Sequence, residues 1–299
     1  MTPYTYLITG ATSGIGRAAA LALAKPGTRL ILTGRNKIAG EQVARRCQRA
    51  GDGVEAVFIP ADLGCKREVL RLSEAVRTRV TSLDVLINNA GARFDRYKQT
   101  EDGIEQAFAI NHLSHFVLTA MLMDRLLAAP SARVVVTGSG THSGASCEGN
   151  WCLSQAEWNR TVAYSKSKLA NIVFAYELAR RTKGTGVTSN AMDPGGVATR
   201  FARNNGLKAW LKHLIYYVLK GRLISARRGA DTIVYLATDP SLQGRSGGYY
   251  MERAEIRSSP ASYDNSAAKN LWKLSLDLSG LKNHLSGAPE PVRRVVLDD

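Results

Sequence analysis

Six short apolar runs, YTYLIT, TRLILT, VEAVFI, LDVLIN, ARVVVT and GVTSNAM, punctuate the first two-thirds of the chain. Between them lie amphipathic stretches such as GIGRAAALALA, KIAGEQVARRCQRA and KREVLRLSEAVRTRV. A run that is apolar at nearly every position, not at every second one, is a strand buried on both faces. A helix-length crossover between two such runs makes them parallel neighbours. A sheet between two helical layers meets both conditions, so the pattern predicts an α/β, doubly wound, mainly parallel sheet with helices on both faces. A seventh strand is expected near SGGYYM, after a helix through RRGADTIVYLAT.

With 299 residues and 44% hydrophobic content, the chain can bury the core such a sheet requires. Residues 1–281 are expected to form one domain, and the tail 282–299, with two prolines and a basic pair, to be loosely ordered. Within the domain, residues 200–225 read as a lid-like helical insertion: Leu207, Leu211, Leu214 and Val218 recur at helical spacing, with Lys208 and Lys212 off that stripe. Its apolar part is too short to span a bilayer, and contact with a membrane surface is the less favoured alternative to a lid. Asp264 is positioned to cap a helix carrying Leu271, Trp272, Leu274, Leu278 and Leu281. No basic segment followed by a long apolar run marks the N-terminus, so a cytoplasmic location is expected. Cys47, Cys65, Cys147 and Cys152 match no metal-ligand spacing and are expected as free thiols, with no metal site. The formal charge of +15 is spread over helix faces (ARRCQR, CKREVLR, ELARRTK), which speaks for a solvated surface; no nucleic-acid module is present.

The first strand runs into TGATSGIG, a glycine-rich turn that opens the first helix, as a Rossmann dinucleotide site requires. Gly10, Thr12, Ser13, Gly14, Ile15 and Gly16 are the candidates for the pyrophosphate, which the free N–H groups and dipole of the helix N-terminus favour. At the end of the second strand, where an NAD site places a carboxylate for the ribose hydroxyls, LILTGRN offers Arg35. A guanidinium binds a 2′-phosphate that a carboxylate would repel, so NADP(H) is predicted, with Ser13 and Asn36 adding hydrogen bonds. Asp62 and Leu63 in PADLG suit the adenine, Asn88 and Ala90 in INNAG the ribose region, and Pro194, Gly195, Val197 and Thr199 in MDPGGVATR the nicotinamide carboxamide.

AYSKSKLAN places two lysines near Tyr164. Helical residues four apart share a face and those two apart do not, so Lys168, not Lys166, is the tyrosine's partner. A phenol of pKa about 10 becomes a usable acid or base only when a fixed cation favours the phenolate. A YxxxK pair alone is a frequent accident of helix surfaces. Here it follows Ser139 at the end of the fifth strand and Asn111 inside a helix, where a turn-forming amide needs a task.

In this order, TGATSGIG, NNAG, Asn111, Ser139 and YSKSK resemble the short-chain dehydrogenase/reductase family over nearly all of residues 4–281. NHLSHFVLT, YSKSKLAN and the ending YLATDPSLQG…LWKLSLDLSGL resemble its retinol dehydrogenase subgroup, with protochlorophyllide reductases as cousins. Gly138 and Gly140 beside the serine, and Asp193 before Pro194, depart from the family pattern. The resemblance implies that Tyr164 passes a proton to a carbonyl oxygen as hydride leaves NADPH, and that Ser139 hydrogen-bonds that oxygen. It further implies that Lys168 holds the nicotinamide ribose and that Asn111 holds a water linking Lys168 to solvent. His112 and His115 are expected to pack or lie on the surface, while His142 is placed at the substrate mouth or away from it. The implied activity is NADPH-dependent reduction of a ketone or aldehyde, or oxidation of the matching alcohol, on a largely apolar small molecule. A tailoring ketoreductase acting on a biosynthetic or carrier-bound intermediate and an NADP-sensing scaffold are the alternatives. Relatives suggest a homodimer through the helices bearing Asn111 and Tyr164.

Overall fold

The computed structural model describes residues 3–197, 224–285 and 287–298. The proposed lid therefore lies, apart from Ile224 and Ser225, outside the described residues, and so does Thr199. Strands β1 (Tyr4–Thr9), β2 (Thr28–Gly34), β3 (Glu55–Pro60), β4 (Val85–Asn88), β5 (Ala132–Thr137), β6 (Val187–Asp193), β7 (Tyr249–Met251) and β8 (Ala254–Glu255) form one sheet of order β3-β2-β1-β4-β5-β6-β7-β8. The first seven are parallel; β8 adds a two-residue antiparallel strand to the expected set, turning back on β7 through Glu252 and Arg253, both at positive φ.

Both faces of the sheet are covered, which explains the unbroken apolar runs. Along β1, Leu7 faces one core while Tyr6 and Ile8 face the other; along β5, Val134 and Val136 oppose Val135 in the same way. Helices α1 (Gly14–Leu23), α2 (Lys37–Gln48) and α8 (Ala226–Thr238) cover one face. The other carries α3 (Lys66–Arg77), α5 (Ser114–Met121) and α7 (Arg160–Arg181), with the short α4 (Gln106–Phe108) and α6 (Met123–Leu127) flanking α5.

Helix starts follow local chemistry. Asn36 Oδ1 accepts from Ala39 N at 2.9 Å, Asn159 Oδ1 from Thr161 N at 2.9 Å, and Asp264 Oδ1 from Ala267 N at 3.0 Å, each meeting a donor the first helical turn leaves open. The Asp264 cap opens α9 (Asn265–Ser279), which ends on Gly280 in the left-handed region at φ 66°. Beyond it the expectation of a loose tail is corrected. Leu281–His284 (α10) and Glu290–Val296 (α11) are helical, and Val292, Val295 and Val296 are buried in the same core as α7. Three valines at helical spacing supply the apolar stripe that the two prolines and the basic pair obscured.

Candidate active site

The strand order reverses between β1 and β4, and the loops leaving their C-terminal ends part to open a crevice of about 490 Å³. One wall is the glycine-rich loop. Gly10 and Gly14 have φ of 68° and 56°, and a Cβ on Gly16 would stand 2.5 Å from Gly10 O and 2.6 Å from Asn89 Nδ2, so only glycine permits this approach of loop to strand. Ser13 caps α1 in extended conformation with no side-chain capping bond, which leaves its hydroxyl and the first-turn N–H groups facing the crevice.

Gly10, Thr12, Ser13, Gly14, Ile15 and Gly16 all line this crevice, with Arg35 at its β2 end and Asp62 and Leu63 beside it. Asn36, next to Arg35, is not among the lining residues, and its side-chain oxygen is engaged as the α2 cap. Asn88 is also displaced from its expected role. It is wholly buried, its Nδ2 donating to Thr119 Oγ1 at 2.9 Å, and the next residue, Asn89, faces the crevice instead. Asn89 Nδ2 donates to Thr9 O at 2.9 Å, while Thr9 Oγ1 accepts from the N–H groups of Asn89 and Ala90, each at 2.9 Å, so this loop is latched to the glycine turn. Side chains alternate along a strand, and where β4 stops decides which of two adjacent asparagines points out.

At the opposite end the crevice is lined by Ser139, Tyr164, Lys168, Pro194, Gly195 and Val197. Tyr164 and Lys168 sit one turn apart on α7, and the ammonium lies 6.0 Å from the phenol ring centroid. Lys168 Nζ donates to Thr137 O at 3.0 Å in a nearly solvent-free position. Burial lowers its pKa from 10.5 to about 8, against which the Asp193 carboxylate works. Lys166 turns away, donating to Glu148 O at 2.5 Å and holding the loop after β5.

Asn111 occupies a single π-helical turn, Ala109–Leu113, between α4 and α5. Such turns place side chains that a regular helix would rotate elsewhere. Its Oδ1 accepts from Ala92 N at 2.7 Å, and its Nδ2 donates to Ala92 O and Ser167 Oγ, each at 2.9 Å; Ser167 Oγ in turn donates to Tyr164 O at 2.7 Å. Asn111 thus ties the loop after β4 to the helix that carries the tyrosine. A Cβ on Gly91 would stand 3.2 Å from Lys168 Nζ and 3.3 Å from Asn111 Oδ1, so both side chains converge on that glycine.

Ser139 caps a 3-10 turn, Gly140–Gly144, and its Oγ accepts from Thr141 N at 3.3 Å. His142 is buried behind the serine, not at the mouth: Nδ1 pairs with Ser139 O at 2.7 Å and Nε2 with Ser259 N at 2.9 Å. Ser259 N can only donate, so Nε2 is unprotonated, Nδ1 carries the hydrogen, and the ring is a neutral strut from the serine to the segment before α9. Burial pushes its pKa down, in keeping with that tautomer. His112 and His115 are fully buried, and desolvation carries His112 down to about 3 and His115 well below the usual imidazole value.

Two departures from the family pattern meet each other. A Cβ on Gly140 would stand 2.8 Å from Asp193 Oδ2, and Asp193 Oδ1 accepts from Gly195 N at 2.9 Å, shaping the Pro-Gly turn. The glycine beside the serine therefore makes room for the carboxylate before the proline. The crevice also takes in Ala92, Arg93 and Thr141, which the motifs did not single out although Arg93 stands two residues past NNAG.

A family model described as short chain dehydrogenase matches residues 4–209. Retinol dehydrogenase 14 of Mus musculus is 37% identical over 287 residues, covering 93% of this chain and 86% of its own length. Among solved structures, an uncharacterized protein from Mycobacterium paratuberculosis superposes with a TM-score of 0.73 at 29% identity, covering 93% of both chains. The RhlG/NADP active-site complex of Pseudomonas aeruginosa superposes with a TM-score of 0.65 at 26% identity, covering 83% of this chain and 96% of that one.

Proposed function

The chain belongs to the short-chain dehydrogenase family, and from that premise we propose that it is an NADP(H)-dependent oxidoreductase interconverting a carbonyl and the matching alcohol on a largely apolar small molecule, with Tyr164 as the acid/base. The observation that carries this reading is that Ser139, Tyr164 and Lys168 line one end of the same crevice whose other end holds the glycine turn and Arg35. The crevice fits a dinucleotide phosphate. Gly16 leaves no room for a Cβ where the loop closes, the first-turn N–H groups of α1 face inward, and the described lining residue at the end of β2 is a cation where a carboxylate would exclude a 2′-phosphate. Gly10, Ser13, Gly14 and Ile15 would hold the pyrophosphate, Arg35 the 2′-phosphate, and Lys168 the nicotinamide ribose. When bound, NADPH supplies the hydride.

Everything else falls to the chain's own residues. Ser139 Oγ and the Tyr164 hydroxyl orient the carbonyl oxygen, and Tyr164 delivers a proton to it as negative charge develops. The Lys168 ammonium, one turn away, favours the phenolate that results. Asn111, through Ala92 and Ser167, keeps the loop and the helix in register. In the direction of alcohol oxidation the same tyrosine accepts the proton.

The test is loss of NADPH absorbance against a panel of aldehydes and ketones, with NADH in parallel. Tyr164→Phe is expected to lower kcat by about 100-fold or more, the range of a lost general acid, while NADPH still binds. Full turnover in Tyr164→Phe, or an equal preference for NADH, would overturn the assignment.

A further inference from the structure

The hydrogen bonds that hold the Ser139 backbone run out of the back of the crevice, through a histidine that the proposed reaction does not use. Ser139 O accepts twice from one residue: from His142 N at 3.1 Å, closing the 3-10 turn, and from His142 Nδ1 at 2.7 Å. The ring is buried, stands edge-on to Tyr249 at a centroid distance of 5.2 Å, and accepts at Nε2 from Ser259 N at 2.9 Å. Packing alone asks only for an apolar side chain at such a place. Here both ring nitrogens are engaged by backbone groups of two segments far apart in the chain, which is what a buried polar ring needs to be tolerated at all.

The bonds continue past Ser259. Its carbonyl, at the start of the 3-10 turn Pro260–Tyr263, accepts from Ser262 Oγ at 2.6 Å; Ser262 Oγ pairs with Ser258 Oγ at 2.6 Å, and Ser258 Oγ with the Tyr176 hydroxyl at 2.7 Å. Each hydroxyl has a single hydrogen, so the first of these bonds settles the rest: Ser262 donates to Ser259 O, Ser258 to Ser262, and Tyr176 to Ser258. His142, Tyr176, Ser258 and Ser262 are all buried, where bonds in a row polarise one another. Tyr263 braces the row, its hydroxyl accepting from Ser258 N at 3.2 Å and its ring stacking on that of Tyr176 at 5.3 Å. Tyr176 lies on α7, about three turns beyond Tyr164. The row therefore starts on the helix that carries the proposed acid and ends on the carbonyl of the serine that works beside it.

We propose that His142 is a positioning residue for the reaction: as the neutral Nδ1–H imidazole it ties Ser139 to α7 from behind, and so sets where the serine hydroxyl stands relative to Tyr164. The inference rests on the oxidoreductase reading above and adds to it a residue that is absent from the crevice lining. The Ser139 backbone is extended, at φ −173° and ψ 148°, and its Oγ accepts from Thr141 N at 3.3 Å. With the carbonyl pinned by the imidazole and Oγ held by the turn, the hydroxyl hydrogen is left for the carbonyl oxygen of the substrate. Removing the pin frees the serine to shift, and a reacting group misplaced by about 1 Å loses up to about 100-fold in rate.

The experiment is a double-mutant cycle in the full chain, with NADPH and the aldehyde or ketone of the panel above that the unaltered chain turns over fastest. Ser139→Ala alone is expected to lower kcat/KM by about 100-fold, the range of one lost donor to the developing oxyanion. His142→Phe alone, which keeps a ring against Tyr249, is expected to lower it by about tenfold, carried by kcat, with NADPH affinity within about twofold of the unaltered chain. A histidine that acts through the serine has little left to disturb once the serine is gone, so adding His142→Phe to Ser139→Ala should lower kcat/KM by no more than about twofold again. His142→Asn, whose amide N–H takes the place of Nδ1–H on Ser139 O without replacing Nε2, is expected to fall between His142→Phe and the unaltered chain. Equal losses from His142→Phe with and without the serine, or no loss where the serine is present, overturn the inference and leave the oxidoreductase reading intact. A second readout needs neither substrate nor variant: long-range proton–nitrogen correlations in protein isotopically labelled at its histidines should show the His142 ring, assigned through its backbone, as the Nδ1–H tautomer at neutral pH. An Nε2–H ring there overturns the inference whatever the kinetics. Absence of NADPH consumption with every carbonyl of the panel would instead defeat the broader reading.

Discussion

Lys168 is where burial and chemistry oppose each other most directly. The proposed mechanism requires its ammonium to stay charged and favour the Tyr164 phenolate, yet desolvation brings its pKa to about 8; the Asp193 carboxylate resists the fall and the buried His115, held neutral, adds no charge of its own. In the reductive direction the proposed mechanism requires the Tyr164 proton and the Lys168 charge, and both conditions fail on the alkaline side. For the free enzyme kcat/KM is therefore expected to be level below about pH 8 and to fall above it. Lys168→Arg supplies a cation that stays protonated to about pH 12 but fits the carbonyl of Thr137 less well. The variant should lose activity, while its alkaline limb moves up by about one pH unit or more; a limb left where it was would show that another group sets it. The Tyr164–Lys168 pairing was legible in the sequence because helical spacing alone decides which side chains share a face. Asn88 and Asn36 were not, since the end of a strand and the demand of a helix cap are settled by packing that no local pattern displays. Arg93 was hidden for a related reason: what makes it notable is a contact with a helix 68 residues further along the chain.

Individual elements show the same division between local and long-range information. The strands of the parallel sheet could be read as runs because each is buried on both faces, and the first turn of α9 could be read from Asp264. The C-terminal helix α11 could not, because its apolar stripe is short and its partner is distant. Trp272 Nε1 donates to Val296 O at 2.9 Å, while the Trp272 ring packs on Phe116 and Phe174 at centroid distances of 5.0 and 5.9 Å. The tryptophan thus joins α5, α7 and α11, and the Arg181 guanidinium covers it from 4.4 Å. Deleting residues 287–299 would re-expose the ring edge and remove three buried valines. At about 1.5 kcal/mol for each valine, with about 1 kcal/mol more for the orphaned indole N–H, the loss should be on the order of 5 kcal/mol. Thermal denaturation should register it as a large fall in Tm; a truncated chain as stable as the full one would mean that α11 adds nothing to the core.

For the molecule as a whole, the consequence of that C-terminal packing is a covered face. The resemblance suggested pairing of two copies through the helices that carry Asn111 and Tyr164. In this chain the side of α5 and α7 remote from the sheet is occupied by the chain itself, α9 stacking Trp272 against Phe116 and Phe174, and α11 closing over the end of α7. Fifteen of the nineteen residues from Ala163 to Arg181 have already lost their contact with water, so little apolar surface is left there for a second copy. Charge acts in the same direction, because two chains of +15 repel unless their contact is large or salt screens it. The expected outcome is therefore a monomer: sedimentation equilibrium at micromolar concentration and moderate salt should give a single species of 32.4 kDa. A species of twice that mass in the full chain would locate pairing on some other face. A shift to the doubled mass only after residues 287–299 are removed would instead show that the C-terminal helix is what keeps two copies apart.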